Sequence, residues 1–282
     1  MENRSGKIAV LLLLTFLLSA CYQFEMRGFF FSYESADERF SQSEEWNKNN
    51  PFKEISVPTD EYSIFAMSDS HVGGTANLDI FINDAIESNA TAAVMAGDLT
   101  TGHAEDYDTF LNHLPDEESL ISFPIVGNHD LYFDGWKQYY SLFGSSTYLF
   151  TVKTPLATDL FICLDSGSGT LGSEQLAWLK NILETERPNY RYCVLFTHNN
   201  FFRTRHTAST NPQVEELHVL MELCVKHNID MVVTGHDHRR SEEKLGNTLF
   251  VSMDALLDDY NFASYLKLHF KQDEINYEFV DL

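Results

Sequence analysis

Five short stretches of this chain end an apolar run in side chains that hold metal ions or carry protons. Ile121 to Val126 stops at Gly127, and Asn128, His129 and Asp130 follow at once. Ile64-Phe65-Ala66-Met67 leads to Asp69-Ser70-His71, and Ala92 to Ala96 leads to Gly97-Asp98-Leu99-Thr100. Tyr192 to Thr197 leads to His198-Asn199, and Met231 to Thr234 leads to Gly235-His236-Asp237-His238. The turns together offer Asp69, His71, Asp98, Asn128, His198, His236 and His238 as ligands. That many nitrogen and oxygen donors exceed the needs of one ion and suit two ions that share a carboxylate. Such paired ions sit roughly 3.5–4 Å apart and clamp a phosphoryl group for in-line displacement. Four imidazoles favour transition metals such as Mn, Fe or Zn over Mg or Ca, which prefer all-oxygen shells. A lone Asp-x-His carries little weight; the full ordered set needs a common explanation.

The elements that must position these groups follow from the pattern of apolar residues. Each apolar run reads as a strand, and a glycine lets the backbone turn sharply as it leaves one. The polar groups then gather at the strands' carboxyl ends, where open α/β sheets place their ligands. From Tyr62 onward strands and helices alternate. Leu78, Ile82 and Ile86 at helical spacing predict a helix over Asn77 to Ser88. Further helices are predicted near 105–114, over 173–184 with Leu176, Leu179 and Leu183 on one face, and over 214–226. Tyr148–Val152 and Leu160–Leu164 read as paired strands, the second ending at Asp165. Thr248–Met253, Ser264–Phe270 and Ile275–Val280 close the chain as strands. The alternation predicts an α/β fold with a largely buried central sheet, and the strand-rich ending a second sheet packed on it.

Composition narrows the function classes. Of 282 residues 44% are hydrophobic, enough for one large core or two small ones. A formal charge of −23 argues against a grip on long nucleic acid, which needs a basic surface. A small phosphoester substrate remains compatible, because bound cations invert the local field. At the N-terminus Arg4 and Lys7 precede Ile8 to Leu18, a run too short for a membrane span and patterned as a secretory signal. It ends in Leu18-Ser19-Ala20-Cys21, which resembles the lipobox of bacterial lipoproteins. The expected plan is a signal peptide over 1–20, a lead-in over 21–60 starting at a lipid-bearing Cys21, and a catalytic domain over 61–282. The implied location is the bacterial cell envelope, with lipid anchoring the exported chain to a membrane it does not span. Ser35-Ala36-Asp37-Glu38 reads as a capping box, so a short helix runs to about Trp46 and packs on the back of the domain. Cys163, Cys193 and Cys224 read as buried core residues, a Cys163–Cys193 bridge being the alternative.

The ordered motifs resemble those of the calcineurin-like binuclear metallophosphoesterases. D-x-H at Asp69, G-D at Asp98, G-N-H-[DE] from Gly127, H at His198 and G-H-x-H from Gly235 occur in that order, over about residues 61–282. The resemblance implies a two-sheet sandwich in four layers, α/β/β/α, with metals at the carboxyl rim of the strands. It implies a first metal on Asp69, His71, Asp98 and His238, and a second on Asp98, Asn128, His198 and His236, with Asp98 bridging. His129 matches the family's non-ligand histidine near the leaving group, and Asp130 the acid that helps orient it. The implied reaction is hydrolysis of phosphomono- or phosphodiesters by a metal-bridging hydroxide. Two branches fit poorly. Purple acid phosphatases carry a tyrosine close after the second motif's aspartate, where this chain has Leu99-Thr100. Several phosphodiesterase branches carry a second histidine and a proline around the fourth motif, where this chain has Asn199-Asn200.

Arg203, Arg205 and His206 follow the His198 turn, and Arg239 and Arg240 follow the last one. With only 19 Lys plus Arg in the chain, they fit a site for a second anionic group of the substrate. Surface ion pairing is the alternative. The aromatics from Tyr132 to Phe143 fit a wall for an organic leaving group or a helix face in the core. His103 is a loop histidine or a support for the metal ligands, and His113, His218, His227 and His269 are structural or surface residues. Two other functions compete: a non-catalytic binding lipoprotein on the same fold, and a phosphoprotein phosphatase.

Overall fold

Alternation along the apolar strands decides the architecture. In the computed structural model, which describes residues 33–202 and 213–282, Phe65 and Met67 face one core while Ile64 and Ala66 face another. A strand buried on both sides reads as a continuous apolar run. The expected signal segment, Cys21, Arg203, Arg205 and His206 lie outside the described residues.

One sheet has seven strands in the order β1 (Lys53–Ser56), β5 (Tyr148–Lys153), β6 (Thr158–Leu164), β7 (Cys193–Thr197), β8 (Met231–Thr234), β10 (Thr248–Ser252) and β9 (Ser241–Leu245). The other has five, β12 (Ile275–Asp281), β11 (Ser264–Phe270), β2 (Tyr62–Met67), β3 (Ala92–Ala96) and β4 (Ser122–Ile125). Between them Ile64, Ala66, Val94 and Ile125 meet Phe150, Phe161, Phe196 and Val233. Each buried ring in that layer stabilises the sandwich by about 1.5–3 kcal/mol. Helices α2 (Ala76–Glu87), α3 (Ala104–His113) and α4 (Trp136–Phe143) cover the outer face of the five-stranded sheet. Helices α5 (Gly172–Thr185) and α6 (Val214–Lys226) cover the seven-stranded one. The result is the expected four-layer α/β/β/α sandwich.

Pairing is parallel from β2 through β3 to β4, and from β6 through β7 and β8 to β10. The five ligand turns therefore leave carboxyl ends, three from one sheet and two from the other. The closing strands do not make a sheet of their own. β10 and β9 extend the seven-stranded sheet, while β11 lies antiparallel to β2 and carries β12 at the edge. Cys163, Cys193 and Cys224 are buried free thiols, in keeping with a core role.

The lead-in adds a helix and an edge strand to this body. Helix α1 (Ala36–Asn49) starts at a capping box: the Ser35 amide donates to Glu38 at 2.8 Å and the Ser35 hydroxyl accepts from the Glu38 amide at 3.3 Å. Asp37 accepts from the Glu174 amide at 2.9 Å, tying α1 to the start of α5. Strand β1 pairs in parallel with β5. Arg39, 1% exposed, reaches Asp165 with Nε–Oδ2 at 2.7 Å and Nη2–Oδ1 at 3.1 Å. Asp165 follows β6 at its carboxyl end, so this contact lies at the rim that bears the ligand turns, not behind the domain.

Candidate metal centre

The ligand turns adopt backbone that most residues avoid. Asp69, His71, Asp98, His236 and His238 have φ of 56°, 40°, 51°, 69° and 54°. Left-handed backbone at non-glycine residues is uncommon and concentrates at functional sites, where surrounding contacts must hold it. Here the turns hold each other. The Asp69 amide donates to the Gly97 carbonyl and the His71 amide to the Asp98 carbonyl, both at 2.9 Å, and Gly235 donates to His198 at the same distance. Gly127 is required for closeness, not for turning: a Cβ there would collide with the Asp98 amide nitrogen and Oδ1. The two loops pack backbone to backbone.

Their side chains converge. Asp98 Oδ1 accepts from the His129 amide at 2.7 Å, which leaves Oδ2 facing inward. That oxygen is 3.7 Å from His71 Nε2 and 3.3 Å from His198 Nε2. Around it lie two groups with metal-holding geometry, Asp69–His71–Asp98–His238 and Asp98–His198–His236, and Asp98 belongs to both. Asn128 Oδ1 joins the second, 3.1 Å from His198 Nε2 and 2.9 Å from His236 Nδ1. All seven expected ligands thus come together.

The donors fit cations better than they fit one another. His71 Nε2 and His238 Nε2 point at each other across 3.2 Å, as do His198 Nε2 and His236 Nδ1. Nitrogens aimed at a common point suit a shared ion. Asp69 Oδ2 accepts from the His236 amide at 2.8 Å, but its buried Oδ1 makes no well-formed hydrogen bond, although His238 Nε2 lies 3.1 Å away. His198 Nδ1 donates to the Ala96 carbonyl at 3.0 Å, which turns Nε2 inward as the nitrogen a cation would take once its proton is displaced.

The model of the calcineurin-like phosphoesterase family matches residues 62–240. The chain belongs to this family. It is accordingly a metal-dependent hydrolase of phosphoester bonds. Among solved structures, a dimetal phosphatase from Danio rerio is similar over 80% of this chain and 97% of its own, at 13% identity and a TM-score of 0.64. GAP50, the anchor in the inner membrane complex of Plasmodium, is similar over 79% and 85%, at 11% identity and a TM-score of 0.62. Likeness at these identities concerns the fold alone. No curated protein matches the chain.

Charge in the phosphoesterase cage is arranged around its carboxylates. Burial opposes ionisation of Asp69 and Asp98, yet the facing histidines hold both below the usual carboxylate range. Burial likewise disfavours a charged His198, but Asp98 and Asp69 overcome it and raise that imidazole to about 10. Burial pushes His71 down to about 3, and burial with the His198 charge pushes His236 down to about 4, so both enter the cage neutral. Asp130, raised to about 6 by burial and the Asp98 charge, is a staple between loops. Its carboxylate accepts from the amides of Gly127, Leu99 and Thr100 at 2.8, 3.1 and 2.9 Å, and from the Thr100 hydroxyl at 3.0 Å. The orienting effect that the resemblance assigns it reaches His129 through the backbone that carries them both.

His129 lies over the cage, its ring edge-on to His71 at 4.4 Å and its Nε2 4.0 Å from Asp98 Oδ2. The aromatics that follow divide. Tyr132, Trp136 and Tyr139 are buried, while Phe133 is exposed and stacked on His103 at 4.2 Å. His113 binds Asp79 at 2.5 Å, a surface contact between α2 and α3. Arg240 is taken by Asp254 at 2.6 Å and by Asp281, which fits the ion-pair alternative. Arg239 is exposed and lines a cavity beside His238. Sequence reasoning passed over Tyr260, whose hydroxyl donates to the His238 carbonyl at 2.6 Å. It sits in a loop without periodicity, and nothing in its neighbours marks it.

Proposed function

We propose that this phosphoesterase is an exported, lipid-anchored enzyme that hydrolyses small phosphomono- or phosphodiesters with two divalent transition-metal ions, Mn, Fe or Zn. The observation that carries the reading is the placement of Asp98 Oδ2 between two sets of donors. Asp69, His71, Asp98 and His238 would hold one ion; Asp98, Asn128, His198 and His236 would hold the other. Such ions supply positive charge for the phosphoryl oxygens and make a water acidic enough to attack near neutral pH. The chain's own contribution is placement and a proton. Asp98 fixes the His129 backbone, and the His129 ring donates its proton to the departing oxygen as the bond from phosphorus to that oxygen breaks. In a protein of charge −23 the cations, not the surface, draw the substrate in.

The pattern at residues 4–21 supports the anchoring, and no helix among the described residues is long and apolar enough to cross a membrane. Two measurements test the reading. Metal analysis of purified protein, with a panel of aryl and alkyl phosphoesters, is expected to give close to two ions per chain and turnover. Full metal loading without turnover on any ester points instead to a binding lipoprotein. Mass spectrometry of the membrane fraction is expected to find lipid on Cys21, and Cys21→Ser to release the protein; an unmodified Cys21 rejects the anchor.

A further inference from the structure

The cage opens toward His238. This side chain is 25% exposed, whereas those of Asp69 and His198 are 0%. A succession of rings runs outward from it. The Tyr260 ring stands 6.4 Å from the His238 ring at 72°, and the Phe262 ring 6.0 Å from Tyr260 at 70°. The bond from the Tyr260 hydroxyl to the His238 carbonyl ties this row to the ligand turn. Phe262 leaves 69% of its surface in water, so its ring face is open to a ligand. Between these rings and the ligand turn is a cavity of about 890 Å³, lined by Asp237, His238, Arg239, Arg240, Tyr260 and Phe262, with Asp254 and Asp281 behind. That volume is in the range of pockets for small organic molecules. Three carboxylates against two guanidiniums leave its wall acidic, and Arg240 is already committed to two of them. A second anionic group is therefore poorly served, and a neutral ring is well served by the aromatic side.

We propose that this cavity binds an uncharged aromatic substituent of the substrate, packed on Phe262 and Tyr260 while the phosphoryl group lies at the cage. The inference rests on the phosphoesterase reading and names its substrate class: aromatic esters of phosphoric acid. Offset and edge-to-face ring contacts supply the selectivity.

The test compares phenylphosphonate with methylphosphonate on the metal-loaded protein by calorimetry, alongside hydrolysis of phenyl and methyl 4-nitrophenyl phosphate, which share a leaving group. The phenyl ligand is expected to bind about tenfold more tightly, equivalent to ~1.4 kcal/mol. Phe262→Ala is expected to shrink that ratio to about threefold or less, and Phe262→Tyr to restore it. Equal binding of the two phosphonates, or a ratio untouched by Phe262→Ala, overturns the proposal. Turnover of both esters together with equal binding of the two phosphonates sinks the cavity but leaves the esterase standing. A phenyl preference in binding without turnover of either ester supports the cavity and rejects the catalytic reading.

Discussion

Asn128 turns its amide so that Nδ2 donates to the Tyr132 hydroxyl at 3.2 Å, leaving Oδ1 toward His198 and His236. A neutral oxygen ligand set this way is easily removed without disturbing the charge balance of the cage. Asn128→Ala is expected to lower metal content from about two ions per chain to about one, and kcat on the order of a hundredfold. Elemental analysis showing both ions in place at full rate would take Asn128 out of the ligand set. His129 makes a different demand. Its proton matters to an alkoxide leaving group and hardly to a 4-nitrophenolate. His129→Ala is expected to slow alkyl esters by about 10²–10⁴ and aryl esters far less; equal losses on the two would end its role as the acid. The ligand residues were legible in the sequence because each follows an apolar run directly. Asp130 was legible as an orienting acid, but neither its bonds to three backbone amides nor the Tyr132 hydroxyl on the Asn128 amide was, since both are tertiary facts.

At the scale of elements, the turns depend on close backbone approach. Gly127→Ala is expected to force the β3 and β4 loops apart, so that metal binding weakens by tenfold or more even where the fold survives; titration with Zn or Mn checks it, and unchanged affinity would show the loops can yield. Helix α1 bears on the same rim through Arg39 and Asp165. Removing one member of a buried, doubly hydrogen-bonded pair leaves a charge without its partner, and Arg39→Ala is expected to destabilise the protein by about 3–5 kcal/mol in urea denaturation. A loss below about 1 kcal/mol would mean that water replaces the guanidinium freely. The long strands and helices were readable from period alone. Strand β9, Ser241-Glu242-Glu243-Lys244-Leu245, was not, because an edge strand with its side chains in solvent needs no apolar alternation. Nor could the sequence tell which strands share a sheet: a run buried on both faces looks the same in either layer.

For the whole molecule, ions bound by these donors would act as fasteners between layers. Asp69, His71, Asp98 and Asn128 come from turns of the five-stranded sheet, and His198, His236 and His238 from the other. Stripping the metals with a chelator is expected to lower Tm by about 5–10 °C, and readdition at a hundred times Kd to restore about 2.7 kcal/mol. A Tm indifferent to chelation would mean that the sandwich holds its rim together unaided.

That shared custody also sets an order of events during biogenesis. The donors stretch from residue 69 to residue 238, so a growing chain owns no complete pair of binding sites until its last third has been made and both layers have closed. On the two-ion proposal, the metals would be taken from whichever compartment the finished polypeptide folds in. Which element fills the cage would then depend on that compartment's supply as well as on the imidazoles.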